Sequence, residues 1–318
     1  MKIKDIGEFE LINLISNKPK KKEVIVGIGD DAAVIKTKKF QLLTTDCLIE
    51  DDHFNCKWFS PDQIGKKAIE INVSDIAAMG GTPKFLLISL ALPKNIEIDF
   101  VKKIYQGMWK TCKKYDIEII GGNMAHSNQI MISVTLTGEI DKKNLSLRSN
   151  AEPGDFLVVS GHLGFGRAGL RLFQENISGF NKVKKKYLEP GARLKNALKL
   201  APYVNSMIDI SDGLASEVRH ICQKSKCGAV IYKEKIPIDF EVKKAAKTLC
   251  EDEYDYALYG GEDFELLFSV SKSNIKNVKG FIVGEIIKKS EIKLKSFKEE
   301  KTLDKKGYDH FSNTAIST

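Results

Sequence analysis

Isolated carboxylates within otherwise apolar segments are the feature that most restricts how this chain can fold. The segments and their acids are residues 24–35 with Asp30 and Asp31, residues 40–49 with Asp46, residues 71–83 with Asp75, and residues 201–216 with Asp209 and Asp212. None of these segments contains a basic residue. Because an ionised carboxylate is strongly disfavoured in an apolar interior unless it is paired or binds a metal, we expect these segments, taken together, to converge on a cation cluster.

Several of these acids also have a local explanation that the sequence leaves open. Asp212 precedes Gly213 and could cap the following helix, and Asp30 could sit in an Asx turn. Asp75 resists this explanation, since we predict it in the middle of a helix. Hydroxyl groups of Thr44, Thr45 and Ser211 add further oxygen ligands of the kind that Mg²⁺ prefers. Magnesium beside several carboxylates is typical of phosphate chemistry.

Helical and strand patterns alternate along the chain, which predicts an α/β or α+β fold. Ser60, Pro61 and Gln63 form a helix start with a capping box, and that helix should run to about Met79. Further helices are predicted at 7–16, 99–115, from about 165, at 213–225 and at 239–250. Strands are predicted on either side of a turn within 24–35 and at 41–46, 85–92, 118–120, 130–139, 156–160, 207–210, 229–232, 264–270 and 281–286. The polar segment 141–153 predicts a boundary between an N-terminal domain, 1–143, and a C-terminal domain, 144–318.

The net charge of +8 on 318 residues does not indicate a polyanion-binding protein. The basic excess is almost entirely lysine and is spread over both halves, so we interpret it as a solvated surface and expect no nucleic-acid partner. Uncharged apolar runs are too short to span a membrane, and the N-terminus lacks a signal-peptide core. The six cysteines include no Cys-x-x-Cys pair, which favours free thiols in a reducing cytoplasm.

One glycine pattern resembles a nucleotide-binding motif and requires separate treatment. Residues 164–169 fit the Gly-x-Gly-x-x-Gly dinucleotide pattern after a predicted strand. The second strand ending in an acid is missing, because residues 176–190 are rich in lysine. We therefore predict a tight strand-to-helix connection there. No Walker A sequence is present, which argues against a P-loop kinase.

Short motifs in order from residue 27 to 311 resemble the thiamine-monophosphate kinase family. They are GDDAA at 29–33, TTD at 44–46 with HF at 53–54, NVSDIAAMG at 72–80, RS at 148–149 with PGD at 153–155, DISDGL at 209–214, GGEDFEL at 260–266 and GYDHF at 307–311. The GDD and DxSDG motifs recur in aminoimidazole-ribonucleotide synthetase, selenophosphate synthetase and the hydrogenase-maturation dehydratase. The combination with GGED and GYDHF is similar to the thiamine enzymes.

The resemblance implies ATP-dependent phosphorylation of thiamine monophosphate to the diphosphate by direct in-line transfer. It also implies a fold like that of aminoimidazole-ribonucleotide synthetase, in which the N-terminal sheet forms a barrel-like homodimer interface beside a C-terminal α/β domain. By the same resemblance, the Mg²⁺ ligands would be Asp30, Thr44, Thr45, Asp46, Asp75, Asn123, Asp209 and Asp212, with Asp46, Asp75, Asp209 and Asp212 catalytic. ATP would contact Tyr105, Gly122, Asn123, Arg148 and Ser211, and thiamine monophosphate would contact His53, Glu262 and Tyr308.

The chain departs from the family pattern at Asn123, where Gly-Gly-Asp-Thr is common. Asn123 can still bind a cation through its amide oxygen but adds no charge, so we expect one weaker metal site rather than loss of activity. Two other functions remain open: another ATP-using synthetase or dehydratase of the superfamily, or a non-catalytic nucleotide-binding protein.

Overall fold

A computed structural model of the protein describes residues 24–26, 33–36 and 40–303. In these ranges, eight α-helices alternate with the strands of two sheets, which confirms the predicted mixed α/β class. The helices are α1 Pro61–Ala78, α2 Ile98–Tyr115, α3 Phe165–Gln174, α4 Asn181–Leu188, α5 Leu194–Leu200, α6 Leu214–Ser225, α7 Phe240–Thr248 and α8 Glu253–Tyr259.

The first sheet has the strand order β1-β2-β3-β6-β4-β5. Its strands are β1 Val24–Val26, β2 Ala33–Lys36, β3 Phe40–Ile49, β4 Thr82–Leu92, β5 Glu118–His126 and β6 Met131–Ile140. Strands β4 and β5 are parallel and are connected through α2, whereas the other neighbours are antiparallel. Along β4 and β6 the more buried and more exposed residues alternate, because successive side chains point to opposite faces. Helix α1 packs on one face of this sheet.

The start of α1 forms the predicted capping box. The Gln63 amide donates to Ser60 Oγ at 3.3 Å, and the Ser60 amide donates to Gln63 Oε1 at 3.0 Å. Helix α2 then approaches α1 very closely, since a Cβ at Gly65 would overlap the main-chain carbonyl of Ile104. Only glycine permits this approach.

The second sheet has seven strands in the order β13-β12-β9-β11-β7-β10-β8. They are β7 Phe156–Val159, β8 Ser206–Asp209, β9 Gly228–Tyr232, β10 Leu266–Val270, β11 Phe281–Ile287, β12 Ile292–Lys295 and β13 Glu300–Thr302. Every residue of β8 and β10 is buried. Helix α1 also packs on β8 and α5, so it lies between the two sheets.

The predicted elements within the described ranges are present, most of them with small shifts of their ends. The strand predicted at 118–120 is too short, because β5 runs on to His126. Elements α4, α5, α8, β12 and β13 were not predicted. Helix α4 shows why, because its sequence is rich in lysine and only Val183 and Tyr187 are buried. Two buried positions in eight residues do not establish a helical period. The helix predicted at 7–16 lies outside the described residues.

None of the helices in the described ranges is both long and apolar enough to cross a bilayer. The six cysteines are all free thiols, and Cys112, Cys222 and Cys227 are buried.

The glycine pattern at 164–169 is a tight connection from β7 into α3, as predicted. Strand β7 is antiparallel to both of its neighbours, so the parallel βαβ unit of dinucleotide-binding folds is not formed there. The amides of Gly164 and Gly166 donate to the two carboxylate oxygens of Asp263 at 2.6 and 3.1 Å. A side chain of the protein thus occupies the helix N-terminus at which those folds bind pyrophosphate.

The Asp263 carboxyl group is expected to make stability depend on pH. Removal from water raises its pKa from 3.8 to about 7, although the two amide hydrogen bonds act in the opposite direction. The folded protein therefore binds one more proton than the unfolded chain between these values, so the free energy of unfolding should fall as pH rises through that window and level off above it.

We expect Asp263→Asn to remove this titration. The Tm of the variant minus the Tm of the wild type should increase from about pH 5 to about pH 8. Thermal denaturation without divalent cations measures both values. Asp141→Asn, at an exposed position of the linker, is the control and should follow the wild type. A Tm difference for Asp263→Asn that is constant across this range would contradict the argument.

Candidate active site

Thr44 and Asp46 lie on the face of β3 that is covered by α1. Thr44 is 7% exposed, and its hydroxyl donates to Oδ2 of Asp75 on α1. Asp46 shares this face with Thr44 because side chains two positions apart on a strand point the same way. The sheet and the helix thus bring acids from two of the predicted segments to one side of the sheet.

Asp75 lies in the final turn of α1, so its predicted position in the middle of the helix is wrong. The helix ends at Ala78 because the Met79 amide closes the last turn on the Asp75 carbonyl and Gly80 takes a φ of +77°. This final turn contains no basic residue. A negative charge near a helix C-terminus is disfavoured by the helix dipole, and a bound cation would relieve this.

A short hydrogen bond connects the acids of the first sheet to those of the second. Ser74 Oγ donates to Asp209 Oδ2 at 2.6 Å, and both residues are buried. Asp209 is the last residue of β8. The neighbours Ser74 and Asp75 therefore link α1 to Asp209 and to Thr44, and three of the predicted segments meet at this helix end.

Two loops pack against each other beside this group: the aspartate loop, residues 209–213, and the glutamate loop, residues 260–264. The Glu262 amide donates to the Ser211 carbonyl at 2.8 Å, and the Phe264 amide donates to the Ile210 carbonyl at 2.9 Å. A Cβ at Gly261 would overlap the Ser211 carbonyl. Main-chain contact therefore fixes Glu262 next to the Asp209 and Asp212 motif.

Glu217 belongs to the same group, and the sequence analysis missed it. It is 2% exposed, and its Oε1 accepts from the Asp212 amide at 3.1 Å. Burial, followed by the charge of Asp212, raises the pKa of Glu217 well above its ordinary value, with Asp209 adding to the shift and Arg148 opposing it. An acid in the first turn of a helix is common, so no sequence signal distinguishes Glu217.

Arg148 lies in a short 3-10 turn, Arg148–Asn150, within the connection between the sheets. Its carbonyl accepts from Ser225 Oγ at 2.7 Å, which attaches the turn to the end of α6. The turn also packs on β8, which ends at Asp209, and the charge of Arg148 lowers the pKa of Glu217. The structure therefore brings the one arginine predicted to bind ATP to the aspartate loop.

Lys67 on α1 connects His53 with Glu262, and the sequence analysis did not single it out. The Lys67 side chain is completely buried. Its Nζ lies 2.5 Å from Glu262 Oε1 and donates to the His53 carbonyl at 2.7 Å. The remaining predicted substrate residue, Tyr308, lies outside the described residues, as does the predicted metal ligand Asp30.

In a single protomer, the side chain of Thr45 lies away from the acids around Asp75 and Asp209. It points to the open face of the sheet, and its hydroxyl donates to the Val134 carbonyl at 3.0 Å. Thr44 and Thr45 therefore lie on opposite faces, as adjacent residues of a strand must.

Gly122 and Asn123 also lie apart from the acids. Strand register places Asp46, Val134, Ile88 and Gly122 in one row across β3, β6, β4 and β5. With roughly 4.8 Å between strands, Gly122 is about 14 Å from Asp46. Asn123 is exposed on edge strand β5.

Tyr105 lies beside the opposite end of α1 from Asp75. Its neighbour Ile104 packs on Gly65, ten residues before Asp75. At about 1.5 Å of rise per residue, that distance is roughly 15 Å along the helix.

The acids form pairs rather than a closed metal cage. Within residues 24–26, 33–36 and 40–303, no three carboxylate, imidazole or thiol groups stand together as a metal site. Mg²⁺ usually binds one or two carboxylates and takes its other ligands from phosphates and water. The oxygen donors present suit that mode of binding.

Comparison with known proteins places both halves in one superfamily. Residues 29–140 match the family described as AIR synthase related protein, N-terminal domain, and residues 152–294 match its C-terminal domain. The chain is 38% identical to thiamine-monophosphate kinase of Aquifex aeolicus over 316 residues, which are 98% of this chain and 100% of that protein. It is 36% identical to the Bacillus subtilis enzyme, covering 96% of this chain and 100% of that protein.

Solved structures agree with this similarity. The structure described as AaThiL complexed with AMPPCP and TMP superposes with a TM-score of 0.88 at 36% sequence identity. The match covers 98% of this chain and 99% of that one.

The contact between the aspartate and glutamate loops can be tested with two glycines. Gly213 has a φ of +104°, and a Cβ there would lie 3.0 Å from the Gly260 carbonyl oxygen of the glutamate loop and 2.7 Å from the Leu258 carbonyl oxygen just before it. Gly154 has a φ of +97° with nothing within 4 Å. We expect Gly154→Ala to cost about 1–2 kcal/mol of unfolding free energy from backbone strain, and Gly213→Ala at least about 1 kcal/mol more from overpacking. Urea denaturation measures both, and equal losses would contradict the close loop contact.

Proposed function

The chain belongs to the thiamine-monophosphate kinase family, and we propose that it transfers the γ-phosphoryl group of ATP to thiamine monophosphate, yielding thiamine diphosphate and ADP. Similarity over nearly the whole length of the Aquifex aeolicus and Bacillus subtilis enzymes supports this activity. The AMPPCP and TMP bound in the related solved structure support ATP as co-substrate and thiamine monophosphate as acceptor.

The observation that carries the proposal is the 2.6 Å hydrogen bond from Ser74 to Asp209. It joins the acids of α1 and β3 to the aspartate loop, whose main chain is in turn bonded to the loop of Glu262. Groups proposed to hold the ATP phosphates would therefore lie beside the residue proposed to hold the acceptor. Direct in-line transfer depends mainly on such positioning.

We propose Mg²⁺ as the cation that these acids bind. The proposed ligands are Asp30, Thr44, Thr45, Asp46, Asp75, Asn123, Asp209 and Asp212. The final-turn position of Asp75, the burial of Asp209 and the repulsion between Glu217 and Asp212 all favour a positive charge here. When bound, Mg²⁺ would neutralise charge on the phosphates during transfer.

The remaining roles follow from side-chain chemistry. Arg148 can bind a phosphate through two parallel hydrogen bonds, with Ser211 and Tyr105 as further proposed contacts to ATP. Glu262 can accept hydrogen bonds from the aminopyrimidine of thiamine. His53 Nδ1 lies 3.2 Å from the Ile49 amide nitrogen and 3.4 Å from Asp52 Oδ2, which leaves Nε2 as the proposed contact to the acceptor phosphate.

The open face of the first sheet supports a homodimer. Phe85 and Leu87 on β4 lie on this face and are 43% and 46% exposed. The neighbouring strand β5, at the edge of the sheet, leaves Ile120 and Met124 58% and 65% exposed beside it. Large apolar surface of this kind usually marks an interface. The distance of Gly122 and Asn123 from the acids supports a site completed across that interface. The domain division at 143/144 and a cytoplasmic location stay predictions.

The activity is tested by following ADP release and thiamine diphosphate formation with Mg²⁺ and ATP. We expect product only when thiamine monophosphate is present. Asp75→Asn and Asp209→Asn should each lower kcat by roughly 100-fold or more, because each removes charge from the proposed cation site, while Tm changes little. Asp99→Asn, an exposed acid on α2, should leave kcat unchanged.

The outcomes separate the three candidate functions. No ADP release above background with thiamine monophosphate would contradict the kinase, and release with another acceptor would favour a different enzyme of the superfamily. Tight ATP binding without turnover over hours would favour a non-catalytic protein. Unchanged turnover in the two aspartate variants would contradict the cation site.

The interface is tested with Leu87→Glu. A charge within an apolar contact is strongly disfavoured, so we expect this variant to be monomeric in analytical ultracentrifugation and to lose activity. Ile98→Glu replaces an even more exposed side chain, at 74%, at the start of α2 and outside the sheet, and should stay dimeric and active. A dimeric, active Leu87→Glu variant would argue against this face as the interface.

A further inference from the structure

Lys67 occupies an unusual place for a lysine, since its side chain is completely buried between the two halves of the chain. A buried ammonium group requires an opposite charge and hydrogen-bond acceptors. Glu262 Oε1 at 2.5 Å supplies the charge, and the His53 carbonyl at 2.7 Å supplies a further acceptor. The rings of Phe59 and Tyr187 lie 5.2 and 5.5 Å from Nζ and add cation–π contacts.

Both polar partners of Lys67 belong to residues proposed to bind thiamine monophosphate. They come from different halves, because His53 follows β3 and Glu262 lies in the glutamate loop. One ammonium group therefore fixes the spacing between the two. Its position is itself determined by packing, since Phe59 and Tyr187 are 2% and 5% exposed.

Glu262 depends on such support. Its backbone is left-handed, with a φ of +66°, and its side chain is 31% exposed. The Glu262 amide is held by the Ser211 carbonyl, but among the contacts of the described residues only Lys67 forms an ion pair with its carboxylate. Without Lys67, the carboxylate could turn toward solvent.

We propose that Lys67 is a positioning residue for thiamine monophosphate: it holds the Glu262 carboxylate and the His53 main chain in the arrangement that binds the acceptor. The inference rests on the proposed kinase function. Lys67 does not touch the acceptor in this proposal and acts through Glu262 and His53.

A variant that only destabilises the fold must be distinguished from one that displaces the groups proposed to bind the acceptor. Helix α1 offers a residue matched to Lys67 for this comparison. Glu70 lies three residues further along, is also buried, and also connects the halves by accepting from the Ala192 amide at 2.8 Å. Among the described residues its side chain bonds to Lys114, Tyr115 and Ala192, and not to His53 or Glu262. Lys66 provides the second control, because it is partly exposed and pairs with Asp62 instead.

The experiment measures KM for both substrates and kcat in Lys67→Met, Glu70→Gln and Lys66→Met. We expect Lys67→Met to raise KM for thiamine monophosphate about tenfold or more through loss of a charged hydrogen bond, with KM for ATP within about twofold. Glu70→Gln should lower Tm without this selective change, and Lys66→Met should match the wild type. Lys67→Arg should restore only part of the affinity, because the larger guanidinium would overpack this completely buried position.

Combining the substitutions at Lys67 and Glu262 tests whether Lys67 affects acceptor binding through the Glu262 carboxylate. In a Glu262→Gln background, Lys67→Met should have much less effect on KM for thiamine monophosphate than in the wild type. Calorimetric titration with thiamine monophosphate provides the same comparison without turnover.

Equal changes in both KM values, or an undiminished effect of Lys67→Met in the Glu262→Gln background, would overturn the proposal. Absence of thiamine diphosphate formation by the wild type would instead overturn the proposed function.

Discussion

The polar face of α1 is the constraint on which the rest of the structure depends. Gln63, Lys67, Glu70 and Ser74 are spaced by three or four residues and therefore share one side of the helix. Their partners in the second half are, in the same order, Glu189, Glu262, the Ala192 amide and Asp209. Lys67, Glu70 and Ser74 are buried, and buried polar groups must be paired. Few positions of the second half relative to α1 would satisfy all four, so this face fixes where the aspartate and glutamate loops lie.

The electrostatics of the site are opposite in sign to those of the whole chain. The net charge of +8 comes from lysines that lie mostly at the surface, whereas Asp209 is bonded to Ser74 of α1 and Asp212 is bonded to Glu217. Such a group repels phosphate by itself. In the proposed function, Arg148 and a divalent cation would reverse the local charge, and the binding of ATP would depend on that cation.

Sequence patterns predicted those parts of the fold that depend on neighbouring residues. The capping box of Ser60 and Gln63 is one such part, and the connection at Gly164 is another. Helix α4 was missed because only Val183 and Tyr187 bury against other elements. Its place is set by packing on α3 rather than by a pattern of its own.

Isolated acids in apolar segments predicted a cation site before any fold was known, because an unpaired carboxylate is costly in an apolar interior. Which residues come together could be learned only from the folded chain. Strand alternation sends Thr44 toward Asp75 and Thr45 to the open face. Burial brings Glu217 beside Asp212, and Lys67 joins His53 to Glu262. These pairings depend on register and on the packing of distant segments, and no local spacing records them.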